Sequence, residues 1–398
     1  MNYSLPKTVV PIAMLFSFRM LGLFMLIPVF SVLAVQLSGA TASLIGIALG
    51  SYGLSQGILQ IPFGLLSDRY GRKRMITIGL ILFAAGSLWG ALTHSIYGMI
   101  GARIVQGMGA IGSVLIALLA DLTEDKDRTK AMAILGLTIG TSFIAAMIIS
   151  PVLTHHYGLS SIFYLTFVLS LLGLTFLYTL VPTPAQESFH AESETNPQLL
   201  RTVLRDSKLQ RLNAGIFFQH LVLTSTFYVV PMLLKAQIQQ GNLGQQWHFY
   251  LPVLLLSFIV MLPFIYIAER MKKMRLIFLT AVGLTALAQL LLAVIPSTLS
   301  ALFILIFIYF VAFNILEASL PSIISRQASK SNKGTAMGVY STSQFLGIFT
   351  GGLLSGISYQ YVGISGLFIM NTLYSLIWLL LSWPMNDISA KSEIQSRT

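Results

Sequence analysis

The chain has 398 residues, of which 55% are hydrophobic and 9% charged, and its mean hydropathy is +0.80. A soluble domain carries roughly 25% charged residues, so these few charges cannot cover a water-exposed surface and the solvent for most of the chain is lipid. There is no cysteine, which excludes disulfides, thiolate chemistry and cysteine metal sites, and the net charge of +11 is a topology signal rather than a nucleic-acid footprint, because the cations gather in short loops.

Apolar runs long enough to cross a bilayer, roughly 20 residues each, are read at 9–35, 44–66, 75–93, 97–121, 130–153 and 160–181. Six more follow at 210–234, 248–268, 275–295, 299–324, 334–357 and 363–384. Met1–Lys7 leads into a run too long for a signal-peptide core, so the first span is read as uncleaved. The segment 182–209 is polar, with three prolines and mixed charge, and reads as a linker with some helix near 198–209. The expected organisation is a six-helix bundle in 1–181, the linker, a second bundle in 210–384 and a tail in 385–398.

Twelve crossings put both termini on one side of the membrane. Of the 24 Lys and Arg, 21 fall on that side, in Lys7, the loops 69–74, 126–130, 270–275 and 326–333, the centre 201–211 and the tail. Lys235 lies opposite, and Arg19 and Arg103 lie inside spans. By the positive-inside rule the basic side is the cytoplasm, so a multi-pass protein of a bacterial inner membrane is expected. The halves echo each other: Asp68-Arg69 running to Arg74 matches Glu269-Arg270 running to Arg275, and Lys130-Ala-Met-Ala133 matches Thr335-Ala-Met-Gly338. An all-α membrane protein with two pseudo-symmetric six-helix bundles follows, with a site at the midplane between them.

Ionisable groups at membrane depth are few: Arg19, Arg103, Glu317 and the titratable His220. A charge near the bilayer centre costs at least ~2.5–3.5 kcal/mol, so such residues face a cavity or a partner. Glu317 shares a helical face with Phe310, Asn314 and Pro321. It is the carboxylate that can change protonation as its surroundings alternate, as proton coupling requires; attraction of a cationic substrate is its other reading. Arg103 shares a face with Gln106, Gly107 and Ala110 and stays charged. Arg19 supplies a second cation, and two arginines against one glutamate hint at anionic or zwitterionic substrates. His220 aligns with Thr224, Phe227 and Pro231, as a packing residue or a proton relay. Phe16, Phe24, Tyr52, Phe143, Phe227, Phe310 and Tyr340, with Gln56 and Gln344, are candidates to line an apolar cavity.

Two soluble-enzyme patterns occur literally: Gly53-Leu-Ser55-Gln-Gly57 and Gly107-Met-Gly109-Ala-Ile-Gly112. Each needs a strand-turn-helix context, and here both fall within apolar spans, where glycines serve helix packing. His155, His156 and His248 sit near the far edge and suggest no metal site.

Residues 64–74, GLLSDRYGRKR, resemble the signature between the second and third helices of the major facilitator superfamily. Arg103-Ile-Val-Gln106-Gly107 resembles that family's fourth-helix motif, and Leu21-Gly22 with Pro28-Val29 the first-helix motif of its drug/proton antiporters. The stretches 60–73 and 333–347 are similar to the YajR-type branch of the family. Two differences stand out: the chain ends at Thr398, without that branch's soluble C-terminal domain, and the fifth-helix antiporter motif reads Ser150-Pro151-Val-Leu-Thr-His155. The resemblance implies a latch of Gly64, Asp68, Arg69, Gly71, Arg72 and Lys73, with Asp68 meeting the start of the eleventh helix at Gly334 and Thr335. It implies that Arg72 bridges to Asp121, with Arg128 able to join, and that Arg103 takes part in proton coupling. Gly64 and Gly71 suit close helix approach and a tight turn.

The expectation is a secondary active transporter, not an enzyme, exporting small amphipathic compounds by alternating access, with import of a small anionic metabolite as the alternative. It needs no cofactor beyond a proton gradient. Its partners are a small-molecule substrate, protons and the lipid bilayer, with no nucleic acid, and a monomer is expected. A receptor or intramembrane enzyme would need a soluble domain or a catalytic pair at depth, and neither is read.

Overall fold

A computed structural model describes residues 5–123, 125–182, 197–329 and 332–385. Among these residues ten helices are long and apolar enough to cross a membrane, and a shorter apolar helix spans Val9–Phe24. The last of the ten, Lys333–Ser382, has 50 residues. Straight, it would measure about 75 Å against a hydrocarbon core of ~30 Å. It turns at Gly363, whose φ of 68° suits glycine. Tyr340 and Trp378, on its two limbs, share one buried cluster, so the second limb runs back beside the first. That makes twelve crossings.

They are α1 (Leu5–Phe24), α2 (Ala42–Tyr70), α3 (Arg72–Leu92), α4 (Ile96–Met108, resuming as Gly112–Asp121), α5 (Asp125–Tyr157) and α6 (Ser160–Thr179). A short helix, Pro197–Arg205, precedes α7 (Ser207–Gln239), α8 (Gln246–Arg270), α9 (Met274–Val294) and α10 (Leu299–Gln327). The limbs 333–362 and 364–382 are α11 and α12. The side chain of Arg128, the linker portion 183–196 and the tail 386–398 lie outside the described residues.

Two expected spans are broken. The first, read as continuous over 9–35, ends its helix at Phe24, four residues before Pro28. A proline has no N–H and its ring clashes with the carbonyl four residues back, which is that of Phe24. The chain passes through turns and resumes as Phe30–Leu33. The fourth, read as continuous over 97–121, is interrupted at 109–111, within the Gly107–Gly112 run. Three glycines in six residues weaken the helix and permit close contact: a Cβ on Gly107 would strike Tyr52 and Ser55 of α2, and one on Gly109 the Gly79 carbonyl of α3.

The helix pairings repeat between halves. Contacts of α1 with α5, α2 with α4, α3 with α4 and α3 with α6 are mirrored by α7 with α11, α8 with α10, α9 with α10 and α9 with α12. Across the halves, α2 packs on α11 and α5 on α8. Gly46 and Gly352 let the α2 and α11 backbones meet, for a Cβ on either would collide with the carbonyl of the other. Tyr228 donates to the Ala42 carbonyl (2.8 Å), Ser43 to Gln360 (2.7 Å) and Thr342 to the Gly57 carbonyl (3.3 Å). One apolar core joins both halves at the far end, with Met25, Phe30, Ile45, Phe227, Tyr250, Phe310 and Phe368. Toward the basic loops the cores separate: one, around Phe16, Ile76 and Leu118, takes Phe345 and Ile348 of α11 from the second half, and another, around Leu212, Phe278 and Ile323, lies wholly within the second half. Among the described residues the halves therefore share one core at the far end and, apart from α2 against α11, keep largely separate cores at the basic-loop end. The short helix is part of the second base: Val203 is fully buried in that core, and the Asp206 carboxylate caps α7 by accepting from Lys208 N and Leu209 N.

Candidate transport site and gate

The turn between α2 and α3 depends on Gly71, with φ 97° and ψ 141°, which ends one helix and starts the next. Arg72 follows at once and is 4% exposed. Its Nε donates to Asp121 Oδ2 at 3.0 Å and its Nη1 to Ser67 Oγ at 2.6 Å, and Nη1 also pairs with Asp68. One guanidinium thus ties the ends of α2, α3 and α4. Lys73 Nζ donates to the Val181 carbonyl at 2.6 Å, which adds the end of α6. Arg69 lies over the ring of its neighbour Tyr70 at 5.5 Å. The contact described for Asp68 is within its own bundle; Thr335 is buried, while Gly334 at the head of α11 stays exposed. Gly64 is not at a close approach, since a Cβ there would meet only Ser113 Oγ at 3.8 Å.

At mid-depth in the first half, Tyr52 joins the two arginines. Arg19 Nη2 donates to its hydroxyl at 3.1 Å, and Arg103 Cζ stands 4.8 Å over its ring. Arg103 Nη1 donates to Gln106 Oε1 (2.9 Å), and Gln106 donates to Ser87 (2.8 Å). Gln56 donates to Gln60 one turn along α2. Tyr52 and Gln56 are fully buried and Phe16 nearly so, so these three are core residues and not cavity lining in this arrangement.

The second half places its polar cluster on α7, α10 and α11. Glu317 Oε2 accepts from Gln219 Nε2 at 2.9 Å and lies 4.0 Å from His220 Nε2. His220 Nδ1 faces the Ile216 carbonyl at 3.3 Å, so it carries the ring proton; Nε2 then accepts from Gln344 Nε2 at 2.8 Å. The Glu317 side chain remains 39% accessible. Beside it on α10, Asn314 donates to Ser257 of α8 at 3.1 Å. Gln219 was absent from the sequence candidates. Its signal was present, a glutamine next to a histidine in an apolar span, but the helix face alone did not show which residue meets the acid.

The aromatic candidates divide. Phe24, Phe143, Phe227 and Phe310, from α1, α5, α7 and α10, form one cluster with ring centroids 5.1 to 6.4 Å apart. With Phe227 and Phe310 nearly inaccessible, the cluster roofs the far end. Tyr340 packs in the basic-end core of the second half. Ser150, before Pro151 in α5, donates to the Met25 carbonyl, one left without a helical partner where α1 stops.

A family model described as Major Facilitator Superfamily matches residues 12–349 and again 212–396. The chain belongs to that superfamily. It is 42% identical to the inner membrane transport protein YajR of Escherichia coli K12, over 94% of this chain and 82% of that one. It is 24% identical to the quinolone resistance protein NorA of Staphylococcus aureus, over 84% and 86% of the two chains. A bacterial homolog of the human lysosomal transporter Spinster, solved in an inward-facing and occupied conformation, shares the fold at a TM-score of 0.76 and 12% identity, covering 96% of this chain and 97% of that one. This is a multi-pass secondary transporter, and the family takes small-molecule substrates.

Proposed function

We propose that the protein exports small amphipathic compounds from the cytoplasm in exchange for protons, across a bacterial inner membrane with its basic loops inside. The observation that carries this is Glu317. It is the one acid in the chain within a membrane span away from its ends, it is bonded to Gln219, it adjoins His220, and part of its side chain is open. A carboxylate so placed can take a proton while facing one side and release it facing the other. His220 and Gln344 extend the path to α11: a proton on His220 Nε2 would oblige the Gln344 amide to present its oxygen instead. The α2–α11 contact, backbone against backbone, is a pivot about which 9–181 can rock against 210–384. The Arg72 cluster holds the base of the first half rigid during that motion, and the latch of Asp68 to Gly334 and Thr335 belongs to the oppositely opened state. Likeness to a quinolone resistance protein supports export and drug-like cargo.

The test is efflux of a compound panel from cells lacking their main exporters, with and without a protonophore, at matched expression. Gradient-dependent efflux lost in Glu317→Gln supports the reading. Efflux that ignores the protonophore overturns proton coupling, and gradient-driven uptake overturns the direction.

A further inference from the structure

Two fixed positive charges lie inside the first bundle without a carboxylate. In the first 182 residues, acids occur only at Asp68 and between Asp121 and Asp127, and Asp68 and Asp121 are engaged by Arg72. Arg19 is 2% exposed and Arg103 3%. A guanidinium has five N–H donors. Arg19 makes one hydrogen bond, to Tyr52, and Arg103 one, to Gln106, while the Nε of each is buried without an acceptor. Neither reaches a carboxylate among the described residues, Glu317 included. Neutral oxygens and a tyrosine face do not balance two buried ions.

A third positive element meets them. The second piece of α4 starts at Gly112 with no side-chain cap. Arg19 Nη1 lies 3.2 Å from where a Cβ of Gly112 would stand, and Gln60 Nε2 borders the same point at 3.7 Å. A helix N-terminus presents free N–H groups and partial positive charge, and interrupted membrane helices turn that end toward anions. The Arg19 guanidinium, a helix N-terminus and the Gln60 carboxamide N–H thus meet at one point, every one of them a donor, while Arg103 lies over the ring of the same Tyr52 that Arg19 binds.

We infer that Arg19, Arg103 and the start of the second α4 segment form a binding site for an anionic group of the transported compound, a sulfonate, phosphate or carboxylate. This deepens the transport reading above and rests on it. The glycines at 107, 109 and 112 acquire a role: they break the helix where the anion must approach backbone. Tyr52 touches both arginines, Arg19 at its hydroxyl and Arg103 at its ring.

The test is equilibrium binding to the purified full-length protein in an uncharged detergent, with radiolabelled naphthalenesulfonate as probe and naphthalenesulfonamide as its neutral match. The sulfonate is expected to bind saturably and at least about tenfold tighter than the sulfonamide, with Arg19→Gln and Arg103→Gln each weakening it by about tenfold or more. Because loss of an arginine can also impair folding, Gln60→Glu is the second variant. It places a carboxylate beside Arg19, and it should raise the melting temperature while abolishing sulfonate binding. Absence of saturable sulfonate binding, equal binding of the neutral match, or full displacement of the sulfonate by chloride at matched ionic strength overturns the inference, the last by showing an inorganic counter-ion only. Coupling is read separately. Proton-driven efflux of a sulfonate-bearing compound that is lost in Glu317→Gln but untouched in Arg19→Gln keeps the proposed function and overturns this one. Sulfonate binding with the arginine dependence above, in a protein whose transport ignores the proton gradient, does the reverse.

Discussion

The two halves share a skeleton and differ in charge. The first holds Arg19 and Arg103 deep in its core around Tyr52. The second holds Glu317 with Gln219, His220 and Gln344, a set that can gain or lose protons and is partly open. The bases of the bundles differ in the same sense. Arg72 with Asp121 is almost wholly buried, at 4% and 1% exposure, whereas the ion pair at the base of the second half, Arg326 with Glu269, joins the ends of α10 and α8 and is 54% and 52% exposed. A repeated fold conserves which helices touch, because that depends on small residues and shape. It leaves charge free to diverge, so one half holds buried arginines and the other a carboxylate beside an imidazole.

The largest expected effect tests the titrating half. Glu317→Gln should reduce proton-driven efflux to background, and counterflow without a gradient should persist; gradient-driven efflux at the wild-type rate would remove Glu317 as carrier. Next comes the contrast between the two bases. Arg72→Ala removes the buried guanidinium that Asp68 and Asp121 share, for a loss of about 3–5 kcal/mol. Arg326→Ala, at a solvated pair, should cost less than about 1 kcal/mol. Thermal unfolding of the two variants in one detergent makes the comparison, and equal losses would erase the distinction between a locked and a solvated base.

The pivot between the halves is tested by Gly352→Val, whose Cβ would stand 2.6 Å from the Gly46 carbonyl. Overpacking of this kind costs about 1–3 kcal/mol, here charged to the far-end-closed state. As the chain has no cysteine, one introduced at Ser43 reports far-end opening by its labelling rate, which should rise by about five- to a hundredfold in the variant. The smallest effect is Tyr228→Phe, which removes the bond to the Ala42 carbonyl across the halves. A net loss of about 0.5–1.5 kcal/mol should raise the same labelling rate by up to about tenfold. No change would mean that the aromatic roof alone holds the far end.

Much of the fold was readable because lipid imposes a simple rule: each crossing is an apolar run, and its flanking cations declare its side. The breaks were less readable. Pro28 could have marked the end of α1 at Phe24, since the clash is local. The interruption of α4 could not be told from glycine-assisted packing, because the same three glycines serve either, and the neighbouring backbones of α2 and α3 decide. In the sites, the acid and the arginines stood out by rarity, but their partners did not. Gln219 and Gln344 look like any polar residue on a membrane helix until α7, α10 and α11 converge.

The sequence alone determined that the chain crosses a membrane repeatedly, that it is built from two related halves, and which few ionisable groups lie at depth, since the energy of a charge or an unpaired backbone group in hydrocarbon is set locally. The tertiary structure decided which of those groups meet. Tyr52 lies between two arginines 84 positions apart, Glu317 reaches α7, and phenylalanines from four helices close a roof. These are contacts between distant segments, set by how the helices pack, and no periodicity along the chain encodes them.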